Sequence, residues 1–575
     1  MKKWNLLLLA FTVCCYSFSQ KPKITWGDEF KLRKGSTDLD VICADKTGVY
    51  LQESHLALKG YFVIGASART SATIIKLDKN LAEQYRNDFN KELRGKEFEQ
   101  FFALQDKLYT LASYTNKRDR TLEIFTAEIN KNSGELAGEW QSLTTFEKDE
   151  KRDEINFKIS LNADSSKMVL VSSIEGRDQN TYQVQEFDKG MKAEGKPVTI
   201  TNEFDPKTFQ LEDVLYTINK KIILVGRIYE YQEGKRKKDK FLDFVNYNIR
   251  IYDEKGKRQN EINTSINSRW LVSTKLLLGK DKDLVLAAFY SNEKRGRTIN
   301  GMLVQRIDPG TGNIISTSEK EINNALLSTE DDNAGGENDR DDESRAERKE
   351  RENLDKIKDE GEGFSRYMQF RNIFYTADQG LVILAEKYHH YYYTTQNYTP
   401  GTNGMPGRWT TTTYSVFECG DIMMCKTDAG GNISWLQVLP KQQREVISAG
   451  RNSGLLAPSH SFFDAMNMPF YAGFGAIQSN DAINVIFNDN PKNADVLRPG
   501  QKVKTTSRFG KSDCFILSIN QATGKYTRTQ FFSNTDVPTA MPRLGSVIGD
   551  DMYIVGKEDR VLGKTKIAIA RINVD

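Results

Sequence analysis

The sequence predicts an all-β chain made from a four-stranded antiparallel unit repeated eight times. Three observations predict it. First, one stretch recurs, an apolar or alternating strand running into an Asp/Asn turn closed by Gly: Gly301–Gly312, Leu122–Gly134 and Cys514–Gly524. Asn and Asp bond their own backbone and tolerate left-handed angles, and Gly supplies positive φ without a Cβ clash, so strand plus turn signals a hairpin. Second, each such turn leads into one more short polar-aromatic strand, as at Gly138–Trp140 and Lys525–Tyr526. Third, the last unit is one strand short, while the N-terminal region has one strand without a hairpin partner.

The chain opens with Lys2 and Lys3, an apolar run Leu6–Val13, and Ser17-Phe18-Ser19 before Gln20. A basic start, a short apolar run and small residues at the end are the parts of a signal peptide, so residues 1–19 are expected to be removed and 20–575 to form the mature domain. The alternative, lipidation at Cys14 or Cys15, meets a bulky Val13 where a lipoprotein signal carries a small residue. No apolar run reaches the roughly 18 residues of a spanning helix. Of the 575 residues 38% are hydrophobic and 10% aromatic, a globular composition, and a net charge of +3 gives no reason to expect nucleic acid.

Ile24–Leu32 is the spare strand. The units then follow in order. The first reads Leu39–Cys43, Val49–Gln52, Thr73–Leu77 and Tyr85–Phe89. The second reads Phe98–Leu104, Leu108–Tyr114, Leu122–Ile129 and Glu139–Leu143. The third is Ile155–Leu161, Met168–Ser173, Tyr182–Phe187 and Val198–Thr201. The fourth is Phe209–Thr217, Ile222–Tyr229, Tyr247–Tyr252 and Glu261–Ile266. The fifth is Leu271–Leu278, Leu284–Tyr290, Met302–Ile307 and Ile314–Ser318. The sixth is Tyr367–Tyr375, Leu381–Lys387, Asp421–Lys426 and Ile433–Leu439, with a long hairpin excursion His389–Thr413. The seventh is Tyr471–Ile477, Ala482–Asn488, Phe515–Ile519 and Thr527–Phe532, with an excursion Asp489–Lys511. The eighth has only Arg543–Ile548, Met552–Gly556 and Lys566–Ile572. Supplying its fourth strand from Ile24–Leu32 closes a ring of blades, so the repeats predict a single eight-bladed β-propeller. Seven blades, or two smaller β domains divided at the acidic insertion, are the alternatives.

That insertion, Ser328–Gly363, holds 15 acidic against 7 basic residues, net −8, with Leu354 and Ile357 its only large apolar residues. Too little can be buried there for a fold, so it is expected to be a solvated, disordered insertion, with a partner-binding tether as the alternative. Lys235–Lys238 is expected as a basic hairpin tip.

In these repeats the chain resembles the exported β-propellers with PQQ-like or WD40-like blades, over Ile24–Asp575 and at the level of repeat form. The Trp-Asp dipeptide of WD40 blades is absent and a Gly-Gly pair does not recur blade by blade, so no family residues carry over. The signal peptide is similar to those of Bacteroidota. The resemblance implies an accessory part of an outer-membrane assembly, such as the periplasmic plug of the type IX secretion translocon.

Chemistry is thinly marked. Mature cysteines Cys43, Cys419, Cys425 and Cys514 fit no zinc spacing; small buried apolar residues are the simplest reading, with a disulfide permitted in an exported chain. His389 and His390, adjacent on a strand, point to opposite faces and make a poor joint metal site. Glu386, Glu418, Asp421 and Asp213 are the carboxylates a glycosidase reading would draw on, without a spacing that pairs them. No nucleophile elbow, zinc-protease helix or phosphate loop occurs, and no catalytic, metal or cofactor residues are assigned. The aromatic run Tyr388, His389, His390, Tyr391, Tyr392, Tyr393, with Tyr398 and Trp409, is the candidate partner-binding surface, since rigid amphipathic rings give contact area at low entropic cost. The expected function is a non-enzymatic periplasmic interaction platform with a protein partner of the outer membrane or envelope. The alternative is a carbohydrate-active or glycan-binding propeller. The chain ends on a blade strand with no sorting domain after it, which points to retention in the periplasm.

Overall fold

The computed structural model describes residues 22–574 apart from 34–35, 60–66, 149, 151–152, 163–165, 177–178, 203–207, 218, 234–239, 265–269, 279–282, 293–298, 322–366, 401–406, 450–467, 500 and 559–565. The expected signal peptide, the acidic insertion and the basic hairpin tip lie outside the described residues.

The described residues are all-β, in eight antiparallel sheets. Two short strands come first, Lys23–Trp26 (β1) and Phe30–Lys31 (β2). Sheet 1 holds Ser36–Asp45 (β3), Gly48–Lys59 (β4), Ser67–Leu77 (β5) and Glu83–Asp88 (β6). Sheet 2 holds Glu97–Leu104 (β7), Lys107–Asn116 (β8), Thr121–Ile129 (β9) and Gln141–Glu147 (β10). Sheet 3 holds Glu154–Leu161 (β11), Met168–Glu175 (β12), Asn180–Phe187 (β13) and Ala193–Asn202 (β14). Sheet 4 holds Phe209–Tyr216 (β15), Ile222–Glu233 (β16), Lys240–Tyr252 (β17) and Arg258–Asn263 (β18). Sheet 5 holds Trp270–Leu278 (β19), Leu284–Ser291 (β20), Gly301–Ile307 (β21) and Ile314–Glu321 (β22). Sheet 6 holds Met368–Tyr375 (β23), Leu381–Thr399 (β24), Arg408–Thr427 (β25), Ile433–Leu439 (β26) and Gln443–Ala449 (β27). Sheet 7 holds Phe474–Gln478 (β28), Ala482–Asp489 (β29), Asp513–Asn520 (β30) and Tyr526–Ser533 (β31). Sheet 8 holds Thr539–Ile548 (β32), Asp551–Glu558 (β33) and Lys566–Asn573 (β34).

Within each sheet the strands pair in sequence order, except that β27 of sheet 6 pairs with β25. Sheet 8 is completed from the other end of the chain: β1 and β2 both pair antiparallel with β34. The spare N-terminal strand therefore docks where expected, broken in two around residues 27–29, with the Gly27 N–H still bonded to the Ile569 carbonyl at 2.9 Å.

The repeated turn has one geometry. The N–H of Gly134, Gly312 and Gly524 donates to the carbonyl of Asn130, Asp308 and Asn520, at 2.7, 2.7 and 2.9 Å. Side-chain oxygens of the same three residues cap a turn N–H at 2.7–2.9 Å. These glycines have φ of 75°, 74° and 70°, left-handed angles at which Cβ is costly. The Asx cap and Gly thus end each third strand and aim the fourth.

Central strands are buried on both faces and read as near-continuous apolar runs, as in β20 and β21. Eight buried clusters follow the eight sheets, each built from one sheet and the next. The remaining cluster returns from sheet 8 to sheet 1, packing Met541, Val555 and Ile569 on Leu51, Ile75 and Leu77. First strands of neighbouring sheets lie side by side, β3 beside both β7 and β32, β19 beside β23, and β28 beside β32. A cleft of about 360 Å³ opens where β3, β4, β7 and β11 converge.

Several first strands carry a bulge at the same level. The extra residue is Glu99 in β7, Glu212 in β15 and Arg371 in β23. A bulge re-aims its side chain, and each of these reaches the second strand of its own sheet. Ser113 Oγ donates to Glu99 at 2.5 Å, Arg227 Nε to Glu212 at 2.7 Å, and Arg371 Nε to Glu386 at 2.9 Å.

Candidate interaction surface

The His389–Thr413 excursion is the long hairpin that the sequence leads one to expect. At a register shift between Glu386 and Tyr388, β24 and β25 leave sheet 6 and stay paired from Tyr388↔Cys419 to Thr399↔Arg408. At about 3.4 Å per residue those twelve pairs make a ribbon roughly 40 Å long. A third strand, β27, lies along its base from Gln443↔Cys419 to Ala449↔Thr413. The sequence reading ended the sixth unit at Leu439 and missed β27, although Arg444–Ile447 has the charged-then-β-branched makeup of an edge strand.

The strand period sorts the predicted residues onto two faces. Tyr388, His390, Tyr392 and Tyr398 share one face with Cys419, Phe417, Ser415 and Trp409, their cross-strand partners. His389, Tyr391 and Tyr393 share the other with Glu418, Val416 and Tyr414. His389 and His390 thus diverge, as their adjacency demands. His390 stacks on Phe417 at 4.3 Å and its Nε2 lies 2.7 Å from Ser415 Oγ. Burial, then the neighbouring His389, hold its pKa below the usual imidazole value. His389 sits 4.1 Å from the Tyr367 ring, with Nδ1 3.7 Å from Glu418. Tyr391 donates to Glu418 at 3.4 Å, and burial, then that carboxylate, push its phenol up. Tyr393 is buried, stacked on Tyr414 at 4.8 Å, and so is used in packing. Three of the eight stand in solvent: Tyr392 at 57%, Tyr398 at 52% and Trp409 at 65% exposure, all on one face. Tyr398 and Trp409 are direct cross-strand partners with ring centroids 5.0 Å apart.

The foot of the ribbon is built on charges that do not show in the sequence. Glu386 is fully buried, with Oε1 2.8 Å from Lys441 Nζ and Oε2 2.9 Å from Arg371 Nε and 3.2 Å from Arg543 Nη1. Burial alone would raise its pKa; Lys441, Arg371 and Arg543 overcome this and bring it from 4.5 to about 2. Lys441, also fully buried, spends its other donors on the Cys419 carbonyl at 3.2 Å and Gln443 Oε1 at 2.7 Å. The Tyr388 ring lies 4.6 Å from the Arg371 guanidinium and 4.9 Å from that of Arg543, and burial pushes its phenol up to about 12. Arg543 crosses to sheet 6 over Gly473, where a Cβ would lie 2.7 Å from its Nη1.

The Asp489–Lys511 excursion folds back on this foot. Thr506 bridges Gln443, and its N–H and carbonyl bond Gln442 and Arg444 at 2.9 Å each. Fully buried Asp489 holds the segment through Arg528 at 2.7 Å, Thr506 Oγ1 at 2.7 Å and Asn493 at 2.9 Å. Fully buried Glu445 accepts the N–H groups of Phe470, Tyr471 and Ala472 at 2.8–3.0 Å. Of the carboxylates considered for hydrolysis, Glu386 and Asp421 are buried in this packing and Glu418 is held by His389 and Tyr391. The side chain of Asp213 lies outside the described residues. Cys43, Cys419, Cys425 and Cys514 are free thiols, the last three buried.

No protein-family model matches the chain, and no curated protein matches it. Solved structures similar to it include an exotype rhamnogalacturonan lyase, YesX, at 10% identity and TM-score 0.35, covering 96% of this chain and 75% of that one. Polysaccharide lyase Uly1 is similar at 10% identity and TM-score 0.33, covering 96% and 100%. The β-propeller domain of the Trilobed protease from Pyrococcus furiosus is similar at 10% identity and TM-score 0.28, covering 90% and 98%. At such identities and scores these likenesses say nothing of this chain's activity. The structural neighbours include β-propeller domains.

Proposed function

We propose that the eight sheets are the blades of one closed β-propeller, fastened by β1 and β2 on β34, and that this disc is a non-enzymatic platform for a protein partner in the cell envelope. The cluster returning from sheet 8 to sheet 1 supports the ring. The observation that carries the function is the ribbon: three large aromatics, Tyr392, Tyr398 and Trp409, held exposed on one face of a paired projection that is three-stranded at its base. Exposed aromatic anchors on a preorganised support are what protein recognition uses. Export by the N-terminal signal, residence in the periplasm and association with an outer-membrane complex belong to the same proposal.

A glycan-binding reading draws on one feature, the Tyr398–Trp409 pair, whose rings at 5.0 Å would stack on a sugar. The test is capture with tagged protein from detergent-solubilised envelopes of its own host, read by mass spectrometry. Stoichiometric recovery of one envelope protein, lost in Tyr398→Ala/Trp409→Ala, supports the platform. Recovery of bait alone, with retention of the wild type on a glycan array, replaces it with the glycan reading.

A further inference from the structure

The foot of the ribbon carries more positive charge than it neutralises. Three cations, Arg371, Lys441 and Arg543, share the single carboxylate of Glu386. The other buried carboxylates of the region are engaged elsewhere, Glu445 on three backbone N–H groups and Asp421 on the Lys441 N–H at 3.1 Å. A fourth cation stands close: Lys275 Nζ donates to the Arg371 carbonyl, and burial followed by the Arg371 charge lowers its pKa. A dry surplus of like charge is costly unless a counter-ion joins it.

The donors left over point to what joins it. All three ammonium protons of Lys441 have acceptors. Arg371 engages Glu386 through Nε, and its Nη2 is buried without a hydrogen-bond partner. Arg543 engages Glu386 through Nη1. Both guanidiniums keep a small solvent-facing edge, 16% and 10% exposed, while Glu386 and Lys441 have none. Tyr388 lies against both and holds their planes in place. Two guanidiniums fixed on one aromatic ring, each with spare fork donors, match the oxygens of a phosphate or sulfate group.

We propose that Arg371 and Arg543 form a receptor for a doubly charged tetrahedral oxyanion, phosphate or sulfate, free or as a monoester, that reaches the foot of the ribbon from the side of the first strands. It would neutralise the surplus and tie sheet 6 to sheet 8 across the start of sheet 7. This site is separate from the aromatic face of the ribbon tip.

The test is calorimetric titration of the mature protein with inorganic phosphate, inorganic sulfate and O-phosphoserine, at constant ionic strength against chloride, alongside thermal unfolding. One saturable site is expected, with Tm rising by about 2 °C at a hundredfold excess over Kd. Binding by the inorganic ions alone assigns a free ion, and tighter binding of O-phosphoserine an esterified one. Arg543→Lys keeps the charge but loses the fork, and is expected to bind at least about tenfold more weakly, while removing the ribbon tip leaves binding unchanged. Absence of saturable binding by the wild type overturns the proposal, as does equal affinity of a folded Arg543→Lys. If that variant does not fold, phosphate-specific stabilisation of the wild type over chloride decides alone.

Discussion

Replacing Glu386 by Gln removes the one negative charge among three cations while keeping the shape of the side chain. The carboxylate has a pKa of about 2 in the folded protein against 4.5 for a free side chain. At about 1.4 kcal/mol per pH unit, that gap corresponds to about 3 kcal/mol at neutral pH. Truncating one member of a buried pair costs about 3–5 kcal/mol by a separate route, since the partners are left charged and dry. Because the folded pKa is depressed, this stability is fully present above pH 4.5 and is lost as pH falls through about 2. Cys419 and Tyr388, which lie beside the carboxylate, are pushed upward by burial and stay neutral in that window. Asp421 and Glu445 are common to both proteins and drop out of the difference to first order. Thermal unfolding of wild type and Glu386→Gln from pH 7 to pH 2.5 is therefore expected to show a wide gap that holds down to about pH 4.5 and narrows below it. A loss below about 1 kcal/mol at pH 7, or a gap that does not change with pH, would refute the reasoning.

Other outcomes follow from single contacts. Gly473→Ala puts a Cβ 2.7 Å from Arg543 Nη1 at a φ of +92°, so it is expected to cost about 1–3 kcal/mol, read as a lower Tm; an unchanged Tm would mean Arg543 is not held there. Arg528→Met leaves Asp489 buried without its cation, and limited proteolysis is expected to shift its first cut into 490–511 while the sheets persist. Tyr398→Ala/Trp409→Ala removes exposed rings, so Tm is expected to move by under about 0.5 kcal/mol equivalent while partner capture is lost. Thiol titration of the native protein is expected to leave Cys419 and Cys425 unmodified, because burial pushes each to about 12, and to find Cys43, Cys419, Cys425 and Cys514 all reactive after unfolding.

Much of the strand order was legible because it is written locally. The Asx-Gly turn needs only neighbouring residues, so Asn130-to-Gly134 and Asp308-to-Gly312 announced their hairpins, and strands such as Leu284–Tyr290 were found within a residue of their ends. The missing fourth strand of the last sheet was legible by counting, and β1 fills it. The sixth sheet was legible only in part. The apolar stretch of β24 ends at Ala385, and beyond it the hairpin is held by cross-strand aromatic pairing, so its existence was legible while its continuous register and its third strand, β27, were not. The aromatic run is visible in the sequence, but only register decides that Tyr392 faces water while Tyr393 is buried. The charged foot was not legible, because Glu386 meets partners 15, 55 and 157 residues away in sequence.

The bulge shared by β7, β15 and β23 indicates why sheet 6 differs from its siblings. In sheet 4 the same pair of positions holds Glu212 and Arg227, one charge against one, both about a third or more exposed. There water screens the pair and its contribution is small. In sheet 6 the order is reversed, with Arg371 on the first strand and Glu386 on the second, and the carboxylate is fully buried. Two further cations then arrive from outside the two strands, Lys441 from the segment leading into β27 and Arg543 from sheet 8. A fold needing only a strut at this level has one in sheet 4. The long connections of sheets 6 and 7 both join a second strand to a third, and Thr506 of the latter bridges Gln443 of β27, the strand that pairs with β25 at the base of the ribbon. Exposed rings, folded-back excursion and surplus charge thus converge on one sector of the molecule, sheets 6 to 8. Substitutions at Glu212–Arg227 are accordingly expected to be near neutral in every assay, and those at Arg371–Glu386 to be felt in both stability and binding.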